Sequence, residues 1–168
     1  MPVLNIAMVG NDELAKEIAK PTDQRDVHTY VHKENGPEGP RILSLIRPAK
    51  YPERLRPFLN ALSAARVGII EVTAVDATLG EALVAFASSK ILRGIAIINP
   101  ADNAWIDEEQ VKMLFKQVGL NKWIFASKDG IELRTQLYQF MDDIKQELTD
   151  ASASPLSFQS TNISMSKE

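Results

Sequence analysis

The 168 residues contain no cysteine, which excludes disulfides, thiolate catalysis and Cys-ligated zinc together. No apolar run approaches the roughly 20 residues needed to cross a bilayer. Met1-Pro2-Val3-Leu4-Asn5 also lacks the basic start and cleavage site of a signal peptide, so the expected location is the cytoplasm. Neither sign of charge dominates: 19 Lys and Arg stand against 22 Asp and Glu. A net charge of -3 gives no global pull toward nucleic acid, so any RNA contact must come from a local patch or from parts outside this chain. The two histidines, His28 and His32, lie four apart in a candidate strand, about 13 Å from one another, and cannot share one metal. What is present is ordinary for a soluble globular domain: 45% hydrophobic and 24% charged residues, in a length suited to one domain with a sizeable core.

Apolar runs of strand length recur at Val3 to Val9, Arg41 to Ile46, Val67 to Thr73, Gly94 to Ile98 and Trp123 to Ala126, each followed by a helical stretch. That alternation predicts an α/β domain with a mostly parallel sheet. The first helix is expected at Asp12 to Lys20. The second is read from Leu55, Leu59, Leu62 and Ala65, the third from Leu79, Leu83 and Phe86, and the fourth from Val111, Leu114, Phe115 and Val118. The last is read from Leu133, Leu137, Phe140, Met141, Ile144 and Leu148. Asp26 to Lys33 alternates as a sixth strand. The turn-rich stretch Glu34 to Pro40 joins it to the next strand, which predicts one antiparallel edge strand. Residues 149–168 hold six serines and no helical period, and read as a flexible tail or a linker to further domains.

In open α/β sheets ligands bind at the carboxyl ends of the strands, which puts weight on the loops there. The first is Gly10-Asn11-Asp12-Glu13-Leu14-Ala15-Lys16-Glu17, in the register of a G-x-x-x-x-G-K-[ST] phosphate loop. Gly10 and Lys16 fit that pattern. Ala15 stands in place of the second glycine, Glu17 in place of the magnesium-binding hydroxyl, and Asp12 and Glu13 add negative charge where phosphates would lie. The plainer reading has Asn11 or Asp12 capping a helix whose positive end the acids complement.

Three more loops follow in order. After Ile46 the chain reads Arg47-Pro48-Ala49-Lys50-Tyr51. A later loop is Ile97-Ile98-Asn99-Pro100-Ala101-Asp102, and another is Ala126-Ser127-Lys128-Asp129-Gly130. Together the four resemble the guanine-nucleotide-binding domain of translational GTPases of the EF-Tu and SelB-like group, over residues 3–148. They match its phosphate loop, its Asp-x-Pro-Gly-His, its Asn-Lys-x-Asp with proline for lysine, and its Ser-Ala-Lys loop. The degenerate loops are most similar to SelB-like factors of methanogenic archaea, the EF-Pyl type among them.

The resemblance implies a three-layer P-loop GTPase-like fold with a six-stranded, mostly parallel sheet, and places residues 1–148 in a degenerate G domain. It also implies a monomeric module of an elongation factor, away from membranes, that meets aminoacyl-tRNA and the ribosome through downstream β-barrel domains. Its hydrolysis needs a P-loop hydroxyl on magnesium, a lysine on the phosphates and a residue that orients water. The matching positions here are Glu17, Lys16 and Tyr51, with Arg47 where a carboxylate would support the metal and Lys50 where a glycine amide would sense the γ-phosphate. A pseudo-GTPase is therefore expected, with no catalytic residue and no metal ligand. The cofactor-binding set carried over is Gly10, Lys16, Asn99, Asp102, Ser127 and Lys128, for weak GTP or GDP binding without a well-formed magnesium site. Asn99 and Asp102 also read as a plain turn after a strand, Asp102 closing an Asx turn. Arg41, Arg47, Lys50, Arg54 and Arg56 read either as an RNA-phosphate patch or as a solvated face. Trp105 and Trp123 read as partial core, Trp105 alternatively as a contact surface. Two other functions stay open: an active GTPase with atypical metal and phosphate ligands, and a ligand-free structural or regulatory domain.

Overall fold

The computed structural model describes residues 1–153 of the chain. Its elements are β1 (Val3–Val9), α1 (Asp12–Ile18), β2 (Lys20–Gln24), β3 (Val27–Gly36), β4 (Gly39–Pro48), α2 (Arg56–Ala64), β5 (Val67–Val72), α3 (Ala77–Ser88), β6 (Gly94–Ile98), α4 (Glu108–Gln117), β7 (Ile124–Ala126) and α5 (Gly130–Ala153). The α/β expectation holds, in a seven-stranded sheet ordered β2-β3-β4-β1-β5-β6-β7. The described chain divides into two compact units, Met1–Arg134 and the stretch from Thr135 onward. No helix of the described residues is long and apolar enough to cross a membrane.

The sheet has one strand more than the six expected. Lys20–Gln24 pairs antiparallel with β3 and becomes the edge, so the reversed strand β3 lies one position in from the edge instead of on it. β2 is exposed along its whole length and carries Pro21, so it shows no hydrophobic alternation. It is held by polar bonds: the Thr22 and Thr29 hydroxyls meet at 2.7 Å, and Thr29 Oγ1 accepts from the Asp23 amide at 3.1 Å. An edge strand tolerates the missing proline donor. The same strand shortens the first helix, which stops at Ile18 instead of Lys20. The turn is also shorter than the span from Glu34 to Pro40. β3 and β4 pair as far as Gly36 and Gly39, leaving Pro37-Glu38 as the loop, and Gly39 at φ +114° takes a conformation that glycine supplies without strain.

Within the first unit, strand parity assigns the faces. Ala7, Ile70, Val72 and Ala96 join one core with α2, α3, α4 and Trp123. Their neighbours Ile6, Met8, Ile69 and Leu45 are equally buried and point to the opposite face. Tyr30, paired with Leu45, reaches Asp12 of α1 on that side. Asp76 and Asp107 cap α3 and α4, and Asp129 accepts from the amides of Ile131 and Glu132 at the start of α5. Helix α2 buries Pro57, Phe58, Ala61 and Leu62, whereas Leu55 and Leu59 of the expected stripe are exposed. The helix is turned so that Phe58, the larger group, faces the sheet.

Phe58, Phe86, Trp123 and Phe115 form a chain of tilted or edge-on rings under these helices, with successive centroids 5.6, 4.9 and 5.7 Å apart. Trp123 donates its indole N–H to the Ile91 carbonyl at 3.0 Å. Two glycines on adjacent strands make room for it. A Cβ at Gly68 would lie 2.6 Å from Trp123, and one at Gly94 would lie 2.6 Å from both Trp123 and the Gly68 carbonyl. Gly68→Ala is therefore expected to lower stability by about 2 kcal/mol through overpacking. Urea unfolding checks this, and a variant as stable as the parent would show that the ring chain gives way freely.

In the second unit α5 continues to Ala153, past the Leu148 at which its period was expected to end. Gln139 donates to Asp143 and Gln146 to Asp150, both one helical turn apart. The remainder of the expected tail lies outside the described residues.

Candidate functional site

The loops after β1 and β6 meet the ends of β4 and β5 through two polar networks. The first is centred on Glu71, a carboxylate in the central strand β5 that is only 8% exposed. It accepts from the Asn11 amide at 2.9 Å, from Asn11 Nδ2 at 3.3 Å and from Asn99 Nδ2 at 2.7 Å. Gly10 lies against it, since a Cβ there would stand 3.1 Å from the Glu71 Cβ and from Met8 Cε. Asn99 thus ties two loops together, by way of Glu71. Its backbone N–H also bonds to the Val72 carbonyl, and the next loop residues follow β5, with the Ala101 amide on the Thr73 carbonyl.

The second network is centred on Arg47 at the end of β4, 8% exposed. Its Nε donates to the Tyr30 hydroxyl at 2.9 Å, Nη1 to the Gly10 carbonyl at 3.2 Å and Nη2 to His28 Nδ1 at 2.9 Å. A guanidinium has no acceptor, so the His28 nitrogen takes that role. The Tyr30 hydroxyl in turn donates to Asp12 Oδ1 at 2.7 Å, and Asp12 Oδ2 pairs with Lys16 at 2.8 Å. The hydrogen bonds from Lys16 and Tyr30 hold the Asp12 carboxyl below its ordinary value, against a smaller desolvation effect. A depressed carboxylate stabilises the fold above its unfolded pKa and loses that contribution as pH falls through the folded one. Burial, then the hydrogen bond to Asp12, pushes the Tyr30 phenol up.

Each residue carried over by resemblance now has a place. Gly10 ends β1 and gives its carbonyl to Arg47. Lys16, on α1, is closed onto Asp12. Asn99 is bound to Glu71. Asp102 lies in an exposed turn that the backbone closes, Ala104 N–H to the Ala101 carbonyl at 2.9 Å, and its carboxylate makes no hydrogen bond among the described residues, so the Asx turn does not form. Ser127 is exposed and donates to Glu132 at 3.4 Å, and Lys128 is exposed without a polar partner among the described residues. The network joins Gly10 to Asn99; Asp102, Ser127 and Lys128 share no hydrogen bond with it.

The helix cap is Asn11, whose side chain accepts from the Leu14 amide at 2.8 Å, and not Asp12. Ala15 is fully buried, and the exposed Glu17 gives its backbone carbonyl to Arg134 at 2.8 Å. Tyr51, which the resemblance aligns with a water-orienting histidine, packs against Phe58 with ring centroids 4.4 Å apart. Of the basic run, Arg47 is buried, Arg41 pairs with Glu34 at 2.8 Å and Arg54 with Asp26 at 3.4 Å, while Lys50 and Arg56 are exposed. Sequence reasoning missed Glu71 and Tyr30. The signal for Glu71 was there, a single acid inside the otherwise apolar strand Val67–Val72.

No protein-family model matches the chain. Over 138 residues it is 21% identical to the uncharacterized protein MJ0325 of Methanocaldococcus jannaschii, an alignment that covers 82% of this chain and 42% of that protein. The chain thus spans less than half the length of the curated relative it matches.

Proposed function

We propose that this chain is a non-hydrolysing module with the architecture of a translational GTPase domain of the EF-Tu and SelB-like group, part of a factor that delivers aminoacyl-tRNA or acts at the ribosome. One observation carries the reading. The groups that would serve a nucleotide are engaged by the protein's own carboxylates: Lys16 by Asp12 at 2.8 Å, and Asn99 by Glu71 at 2.7 Å. Arg47, itself a cation, fills the position of the metal-supporting acid and binds the Gly10 carbonyl. A triphosphate entering this turn would have to break the Asp12–Lys16 pair and meet Asp12 and Glu13 with one lysine as compensation. Loop ends bonded to one another suit a module that holds one conformation for its partners. The tRNA and ribosome belong to the resemblance and to parts outside this chain.

A ligand-free interaction domain is the second reading, favoured by the Asn99 bond to Glu71, which leaves Asp102 as the one free group of the guanine pair. NMR titration with GTP, GDP and guanosine, with and without magnesium, separates the two. The remnant pocket predicts shifts at Asn99 and Asp102 with Kd on the order of millimolar, alike for all three and indifferent to magnesium. No shift with any of them supports the ligand-free domain. Tight magnesium-dependent GTP binding, with turnover lost in Lys16→Ala, would overturn both.

A further inference from the structure

The loop between β6 and α4 holds a tryptophan that the fold does not use. Trp105 is 84% exposed, more than any other large apolar side chain among the described residues. Its indole N–H has no hydrogen-bond partner among them, in contrast to Trp123. The ring adds nothing to the core, yet it presents a large flat face to water at the carboxyl ends of the strands. Buried against a partner, such a side chain is a strong anchor.

Its surroundings select the partner. From Gly94 to Val111 the chain carries four acids, Asp102, Asp107, Glu108 and Glu109, and no lysine or arginine. Asp102, Glu108 and Glu109 are exposed. Lys112 pairs with Glu108 at 3.2 Å and approaches Glu109 at 3.9 Å, which leaves the local balance negative. A nucleic-acid backbone would be repelled here. A guanidinium or ammonium group would gain twice, from the aromatic face and from the flanking carboxylates. We propose that the loop Pro100–Ile106 and the start of α4 form a docking surface for an arginine- or lysine-rich protein segment, with Trp105 as its cation-π anchor.

Indole emission tests this on the full chain, with an octa-arginine peptide as probe and a uridine octamer as its anionic counterpart. Octa-arginine is expected to shift or quench the exposed-tryptophan emission while the buried Trp123 contribution stays fixed. Trp105→Ala, read by calorimetry, is expected to weaken the peptide about tenfold, because the anchor is lost with the charge intact. Neutralising Asp102, Glu108 and Glu109 to their amides is expected to weaken it more than neutralising Glu13, Glu53 and Glu81, three exposed acids outside the run. Equal affinity in Trp105→Ala, equal effects of the two sets of acids, or a response to the uridine octamer in place of octa-arginine would each overturn the proposal. The positions tested are exposed, and circular dichroism of each variant checks that it is folded.

Discussion

Replacing Glu71 by leucine is expected to destabilise the first unit by about 3 kcal/mol, a large share of a typical domain's stability. The substitution looks conservative by pattern, since Glu71 is the one acid in Val67–Val72 and leucine would complete the apolar strand. The hydrogen bonds argue the reverse. Glu71 satisfies the Asn11 amide at 2.9 Å and two side-chain amides besides. The side chains of Asn11 and Asn99 can turn to water, but the backbone N–H of Asn11 is fixed by the strand and the helix cap. The Asn11 bond is partly buried, and an unsatisfied donor there adds up to about 1–3 kcal/mol to the loss of two further bonds to a charged acceptor. Urea unfolding gives the loss. Hydrogen exchange should localise it, with faster exchange at Asn11 and Asn99 and little change in β6 itself. Glu71→Gln, which keeps one acceptor oxygen but adds donors facing donors, should fall between. If the leucine variant equals the parent, the two loops are held by something other than this carboxylate.

The two networks show how far sequence carries in a fold of this kind. The buried runs at β1, β5 and β6 were legible because a central parallel strand must be apolar on both faces, and the helices α3 and α4 because their buried residues repeat with the helical period. β2 was not legible: Lys-Pro-Thr-Asp-Gln has no apolar side, and what makes it a strand is the partner it finds in Thr29, across the turn. The face of α2 was legible at Leu62 and Ala65 but not in its first turns, where Leu55 and Leu59 offered a helical spacing while Phe58 supplied the larger buried area. At the loop ends, sequence register drew attention to Gly10 and Asn99, but not to the groups that they meet in the fold. A list of residues at matching spacing cannot say that Arg47 donates to the Gly10 carbonyl, or that Glu71 accepts from Asn11. Those partners lie 37 and 60 residues apart in the chain, in Arg47 with Gly10 and in Glu71 with Asn11, and only the sheet order brings them together.

Arg47 carries the other large expected effect. Arg47→Met keeps the length and apolar stem of the side chain and removes only the guanidinium, and it is expected to cost about 2–3 kcal/mol, the upper part of the range for leaving buried acceptors without their donor. The loss is not that of one bond. The Gly10 carbonyl, the Tyr30 hydroxyl and His28 Nδ1 all lose their donor, and Asp12 keeps Lys16 and Tyr30 as partners. The cost therefore centres on β1, β3 and β4, away from Glu71. A double variant with Glu71→Leu separates the networks, because both touch the loop after β1. Independent networks would give additive losses, whereas coupling through Gly10 and Asn11 would make the double loss smaller than the sum, since the second change acts on a loop already released. Arg47→Asp is the sharper test for the proposed function. It restores an acid where the resemblance implies one, but sets it beside Asp12 with its buried neighbours unpaired, and it should be less stable than Arg47→Met and gain no magnesium-dependent GTP binding. Were Arg47→Asp to fold well and bind GTP with magnesium, the loop after β1 would be a nucleotide site held shut by one arginine, and the proposed loss of function would be reversible by a single substitution.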